Sequence, residues 1–241
     1  MANREILAIQ ARTTKKAIES EKDSLNELAS RAKTKIVYMN PFDTKQTKLW
    51  SSPRRLLEKY RGIIFLGSGD VDLTVRDEIT KTFERRVFPL MENSLQEEKQ
   101  TLGICLAHQA ITLIAGGEIG RLKERQETGT TLLELTKAGR ENHLFDGLPE
   151  SFDVVYGHKD SITKIPNEAV IVGRTEKDPY SALQIGSAIT FQGHPELVDI
   201  SELQNRIDTP HDGLDTYEVN YELKAPHERT KEIIVNFLNT L

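Results

Sequence analysis

Cys105 is the single cysteine in a chain of 241 residues, and its surroundings are those a thiol nucleophile needs. It closes the apolar run Thr101-Leu102-Gly103-Ile104 and opens Leu106-Ala107-His108-Gln109, so a strand is expected to end and a helix to begin there. A tight strand-to-helix turn pushes the side chain out of the sheet. The helix N-terminus adds unpaired N–H groups and the positive end of the peptide dipole, which favour thiolate over thiol. Gly103 suits the close backbone contacts of such a turn. Gln109 lies four residues on, so it can face the same pocket as Cys105. The bland alternative is a buried packing cysteine, a common fate for a lone thiol.

A thiol also needs a base to take and return its proton, and the base needs a third group to hold its tautomer. The segment Ala188-Ile-Thr-Phe-Gln-Gly-His194-Pro195-Glu196 supplies both types. His194 is expected at the end of a strand. Glu196, two positions on, projects to the same side and can orient it. A His-Pro-Glu triplet alone is a weak signal, equally met in a surface turn. After a Gly-Ile-Cys elbow in the same chain it becomes a strong one.

Positioning these groups requires a sheet with helices packed on it. Short apolar runs at 6–9, 35–39, 62–66 and 101–104 read as strands. Between them lie a helix over 14–32, with Thr13 or Thr14 as its cap, a helical region reaching about residue 92, and a helix over 106–115. This β-α-β-α alternation predicts a parallel sheet covered on both faces. Beyond Gly116-Gly117 the strand-like runs at 130–135, 152–156, 169–173, 182–185 and 188–192 are separated by turns, and Ile185-Gly-Ser-Ala188 reads as a hairpin. A last helix is expected to begin near Pro226, with Ile233, Ile234, Phe237 and Leu238 on one face. The polar stretch 197–225 shows no period and leaves two readings open, a lid over the site or a surface excursion. Trp50 is assigned only a packing role.

Composition narrows the function classes. The 32 basic and 37 acidic residues give a net charge of −5 with no basic block, so nucleic acid is not an expected partner. The N-terminal residues lack the apolar core of a signal peptide, and no apolar run approaches the ~20 residues that span a bilayer. A single cysteine excludes a disulfide within the chain and fits a reducing, cytoplasmic setting. No Cys/His cluster has metal-ligand spacing, so no metal is expected. The Gly67-Ser68-Gly69 loop matches neither nucleotide-loop pattern, and no cofactor is expected. His108 and His158 read as packing or hydrogen-bonding residues.

The elbow and the triplet together resemble the class I glutamine amidotransferases, whose signature is Gly-x-Cys-x-Gly-x-Gln followed by His-Pro-Glu. Phe65-Leu66-Gly67-Ser68-Gly69, the run 144–149, Gly157-His158-Lys159-Asp160-Ser161-Ile162 and the run 182–186 are similar to further family segments, so the likeness covers roughly 61–196. The resemblance implies a flavodoxin-like three-layer α/β sandwich over 1–241, as one domain. Its central sheet would be mostly parallel with a small antiparallel extension, and 197–241 would be a C-terminal extension. It implies that Cys105 attacks the γ-carbonyl of glutamine or a γ-glutamyl compound and that His194, oriented by Glu196, serves the leaving amine and then water. It further implies that N–H groups of Leu106 and of the Gly67-Ser68 loop hold the oxyanion and that Gln109 helps hold the substrate's amino-acid end. The sequence departs from the pattern at Ala107, where the family has glycine. The destination of the ammonia stays open: a separate synthetase partner, or none in a free-standing γ-glutamyl peptidase. A non-catalytic binding module on the same fold is disfavoured by the intact Cys-His-Glu set.

Overall fold

A computed structural model describes residues 5–75, 77–197 and 224–241. The chain opens with β1 (Glu5–Ile9), α1 (Lys15–Arg31), β2 (Lys35–Met39), α2 (Pro53–Leu57), β3 (Gly62–Phe65), α3 (Glu78–Gln96), β4 (Gln100–Ile104) and α4 (Leu106–Ile114). It continues with β5 (Glu118–Gly120), β6 (Glu127–Leu135), the short α5 (Lys137–Arg140), β7 (Ser151–His158), β8 (Ser161–Lys164), β9 (Val170–Arg174), β10 (Ala182–Ile185) and β11 (Ala188–Phe191). The last described helix is α6 (Glu232–Asn239).

Among the described residues one sheet of nine strands runs in the order β2-β1-β3-β4-β11-β10-β9-β6-β7. The first five strands are parallel, as the early β-α alternation requires. From β11 outward the pairing is antiparallel, so the extension adds four strands to the same sheet. β5 and β8 form a separate two-stranded ribbon, which the sequence pattern did not mark. The hairpin between β10 and β11 closes with Ile185 opposite Ala188, and Gly186 at φ +58° takes the left-handed conformation that a two-residue loop demands.

Strand alternation sends successive side chains to opposite faces, which creates two cores. On one face Ile6, Ala8, Ile64 and Leu102 pack with Leu25 and Leu28 of α1 and Ile233, Ile234 and Phe237 of α6. On the other, Leu7, Ile9, Ile63 and Phe65 pack with Phe83, Val87 and Leu90 of α3 and Ala110 and Ile111 of α4. That is the three-layer α/β sandwich. Trp50 is buried in the second layer. Leu102, fully buried, tests this layering: Leu102→Ala is expected to lower unfolding free energy by about 2–5 kcal/mol, measured by denaturant titration.

α3 starts on a cap, since the Asp77 carboxylate accepts from the Thr80 N–H at 2.7 Å, and it continues past residue 92 to Gln96 with Pro89 inside it. The final helix starts later than the sequence predicts. Residues 226 and 227 are irregular and 228–231 form turns instead, because His227 N–H and Thr230 Oγ1 both donate to the Asp153 carbonyl of β7, at 3.0 and 3.2 Å. A tertiary bond thus overrides the helix-start signal of Pro226. The polar stretch at 197–225 falls almost wholly in 198–223, outside the described residues. No described helix is long and apolar enough to cross a membrane.

Candidate active site

Cys105 sits at the junction of β4 and α4 with φ +51° and ψ −105°. An L-residue rarely adopts that conformation, and holding it costs on the order of 1–3 kcal/mol. The fold enforces it from both sides. Cys105 N–H donates to the Phe191 carbonyl of β11 at 2.7 Å, and Gln109 N–H closes the first helical turn on the Cys105 carbonyl at 3.2 Å. Gly103 lets α4 lie directly over the strand end, because a Cβ there would stand 2.8 Å from Ile111 Cδ1 and 3.0 Å from Thr190 Cγ2. Ala107, the departure from the family pattern, is fully buried in the core layer of Ile63, Leu90 and Ile111, which accommodates its methyl group.

His194 and Glu196 lie beyond β11, in a turn closed by Leu197 N–H on the His194 carbonyl at 3.2 Å, rather than at the strand end itself. The turn brings them to one side. His194 Nδ1 bonds to Glu196 Oε1 at 2.8 Å, and His194 N–H anchors to the Val155 carbonyl of β7 at 2.8 Å. Gly193 permits this approach: a Cβ would fall 2.8 Å from Val154 Cγ1 and 2.9 Å from Tyr156 Cζ. Gly67 packs against the reactive groups themselves. A Cβ built on it meets His194 Cε1 at 2.9 Å and Cys105 Cβ at 3.1 Å, so its backbone lies against both side chains.

Charge in this site is paired. Burial pushes the Cys105 thiol up, but the adjacent His194, by its positive charge and its hydrogen bond, and His158 farther away, bring it below the ordinary thiol value. Burial pushes His194 down, and the charges of Glu196 and Cys105 more than offset this, raising it to about 10. Both shifts favour a thiolate–imidazolium pair, and the carboxylate bonded to the imidazole is fully buried.

The loop after β3 is fixed by hydrogen bonds to the loop after β1. Ser68 Oγ donates to the Ala11 carbonyl at 2.5 Å and accepts from Asp70 N–H at 3.0 Å, while Asp70 accepts from Thr13 N–H and Oγ1 at 3.1 and 2.8 Å. The Ser68 hydroxyl is thus committed to the loop. No acceptor for the backbone N–H of Ser68 or Gly67 occurs among the described residues, and Leu106 N–H, first in α4, has no partner within the helix.

The Gln109 side chain is linked to Cys105 through Gln192: its amide nitrogen donates to the Asp160 carbonyl at 2.7 Å and to Gln192 Oε1 at 3.0 Å. Gln192 in turn donates to Cys105 Sγ at 3.6 Å. Sequence reasoning passed over Gln192, although it stands two residues before His194. Arg121 was also missed: it reaches Asp160 at 2.9 Å and Asp72 at 2.6 Å, joining the turn after β7 to the loop after β3. His108 is a packing residue. Its ring bonds Thr190 Oγ1 at 2.8 Å and the Tyr180 carbonyl at 2.9 Å, and burial drives it down to about 3, so it stays neutral. His158 is different, for it shares a buried cluster with Glu127 and Asp178 whose ligand-type atoms lie within 4.8 Å of one another.

Known proteins resemble the chain in sequence and in fold. The model of the class I glutamine amidotransferase family matches residues 23–206. A glutamine-hydrolyzing GMP synthase subunit of Pyrococcus furiosus is 31% identical over 142 residues, covering 58% of this chain and 68% of that protein. Gamma-glutamyl peptidase 3 of Arabidopsis thaliana is 28% identical over 144 residues, covering 58% of this chain and 56% of that protein. The chain spans only 20% and 25% of two longer GMP synthases that it also matches. In three dimensions a glutamine amidotransferase of Thermotoga maritima superposes with a TM-score of 0.68 over 99% of this chain and 97% of that one, at 21% identity, a likeness of fold. A family model covering most of the sequence, on this fold and around this thiol, shows that the chain belongs to the class I glutamine amidotransferase family.

Proposed function

We propose that the protein hydrolyses the γ-amide of glutamine or of a γ-glutamyl compound, with Cys105 as nucleophile. The observation that supports the reading is the close approach of Gly67 to both Cys105 and His194, with the N–H groups of Gly67 and Ser68 bound to no acceptor among the described residues. In the reaction the Cys105 thiolate adds to the γ-carbonyl carbon. The developing oxyanion takes N–H bonds from Leu106 and from the Gly67-Ser68 loop, each such donor lowering the barrier by about 3–4 kcal/mol. His194 passes its proton to the nitrogen, the C–N bond breaks, and the amine or ammonia leaves a γ-glutamyl thioester. Neutral His194 then takes a proton from water as the water attacks, and thiolate and imidazolium are restored. Glu196 keeps the ring in one tautomer throughout. With the amide nitrogen of Gln109 engaged twice, its role is to hold Gln192 and the Asp160 carbonyl, with its own carbonyl oxygen left for the substrate's amino-acid end.

Two destinations for the amine follow from the relatives. Similarity to a separate GMP synthase subunit favours release of ammonia toward a synthetase partner. Similarity to a γ-glutamyl peptidase favours cleavage of γ-glutamyl amides without a partner. The chain is read as one catalytic domain, and its lone thiol suits a reducing, cytoplasmic setting. Turnover of glutamine and of a panel of γ-glutamyl dipeptides by the purified chain separates the two. Dipeptide cleavage without partner supports the peptidase; feeble glutamine hydrolysis alone supports the synthetase-linked glutaminase. Inactivity on every substrate, with a folded protein and a synthetase supplied, would sink both.

The ion pair sets the pH dependence. Activity requires thiolate, lost as pH falls through the lowered Cys105 pKa, and imidazolium, lost as pH rises through about 10. The profile of kcat/KM is therefore expected to be a bell with its basic limb near 10. Glu196→Gln removes the charge that raises His194, so the basic limb is expected to move to lower pH, with kcat down roughly 10²- to 10⁴-fold. An unmoved basic limb would separate Glu196 from the base.

A further inference from the structure

The geometry points to a second, buried site that binds one first-row divalent cation, with Glu127, His158 and Asp178 as ligands. The three come from distant parts of the chain: Glu127 begins β6, His158 ends β7 directly opposite it, and Asp178 lies in the turn before β10. All three are buried, at 3%, 3% and 0% exposure, and their ligand-type atoms lie within 4.8 Å of one another. Three ligands at ~2.0–2.2 Å around one ion stand about 3.0–3.6 Å apart, so the side chains would draw together by about 1 Å on binding.

Two features make the cluster a cation site rather than a simple ion pair. The first is the histidine's orientation. His158 Nδ1 lies 3.0 Å from the Asp160 carbonyl, which can only accept, so Nδ1 carries the proton and Nε2 turns its remaining site toward the two carboxylates. A backbone carbonyl fixing the non-ligating nitrogen is the usual arrangement behind a metal-bound imidazole. The second is what Nε2 and the carboxylates lack. The contact from Nε2 to Glu127 Oε2 is 3.4 Å, long for a charge-assisted bond, which normally closes to ~2.7–2.9 Å. Glu127 Oε1 and Asp178 Oδ2 are buried with no hydrogen-bond partner among the described residues. Orphaned buried carboxylate oxygens are costly, and an imidazolium can neutralise only one of two carboxylates.

A divalent ion neutralises both and satisfies the orphaned oxygens. One nitrogen and two carboxylate oxygens suit zinc, manganese or ferrous iron rather than calcium or magnesium. Asp178 is held in its turn by Oδ1, which accepts from Tyr180 N–H at 3.0 Å and leaves Oδ2 as the orphaned oxygen. The ion would tie the start of β6, the end of β7 and the turn before β10 together.

Zinc is the probe. Because Cys105 and His194 could themselves bind it, the test uses the full chain carrying Cys105→Ala, produced in zinc-supplemented medium and desalted, with zinc measured by mass spectrometry. About one zinc per chain is expected, with a melting temperature that falls on prolonged chelation. Asp178→Asn and Glu127→Gln, each added to that background, are expected to lower occupancy at least ten-fold. Both replacements preserve shape, and circular dichroism shows which remain folded; if one is not, the other decides. A folded Cys105→Ala protein without zinc would overturn the proposal and leave a proton as the cation of the cluster. So would full occupancy in either folded double variant.

Discussion

Cys105→Ala is expected to lower kcat for γ-amide hydrolysis by roughly 10⁴- to 10⁶-fold, since removing the nucleophile of a coupled set costs nearly as much as removing the whole set. Residual turnover would come from the oxyanion donors and from substrate orientation. The same variant is expected to resist labelling by a glutamine-like electrophile that modifies the wild type stoichiometrically. Backbone strain adds a stability arm to this test. At φ +51° and ψ −105° alanine is no less strained than cysteine, whereas glycine is at ease. Cys105→Gly is therefore expected to unfold at higher denaturant than Cys105→Ala, by about 1 kcal/mol. Equal activity of wild type and Cys105→Ala would remove the nucleophile from the mechanism. A glycine variant weaker than the alanine variant would deny that the elbow stores strain.

Gly67→Ala carries the second large effect. The new methyl would stand 2.9 Å from His194 Cε1 and 3.1 Å from Cys105 Cβ, closer than carbon atoms pack. Relief must come from the imidazole, from the elbow, or from the loop that presents the oxyanion donors. The imidazole is held by Glu196 at 2.8 Å, the elbow by Phe191 at 2.7 Å, and the loop by the bond from Ser68 to the Ala11 carbonyl at 2.5 Å. No part can move without straining a bond that positions the reacting groups. A displacement of about 1 Å in a reacting pair costs on the order of 10²-fold, and loss of one oxyanion donor roughly 10²- to 10³-fold. A fall in kcat of about 10²- to 10³-fold is therefore expected, with KM less affected and with the fold retained by circular dichroism. A variant within about three-fold of wild type would mean that Gly67 does not border the reacting atoms.

The candidate catalytic residues could be read from the chain because each announces itself locally. A lone cysteine between an apolar strand and an apolar helix, and a histidine followed two residues later by glutamate, are short patterns needing no knowledge of distant partners. The alternation of strands and helices up to Ala115 was equally readable. Parallel strands buried on both faces are continuous apolar runs, and the helices between them carry a helical stripe. The resemblance to a family then joined the two halves of the site.

What the sequence by itself determined is thus the elbow and the thiol it presents, the candidate base with its carboxylate, and the parallel half of the sheet. The tertiary structure alone decided the rest. It set the start of the last helix, through bonds from His227 and Thr230 to Asp153. It engaged the nitrogen of Gln109 with Gln192 and the Asp160 carbonyl, and it ran Arg121 between two loops. It also gathered Glu127, His158 and Asp178 into one buried cluster. The physical reason is the range of the interactions. Strand and helix preferences act within a few residues, whereas a buried polar side chain takes whichever partner the folded chain brings within ~3 Å.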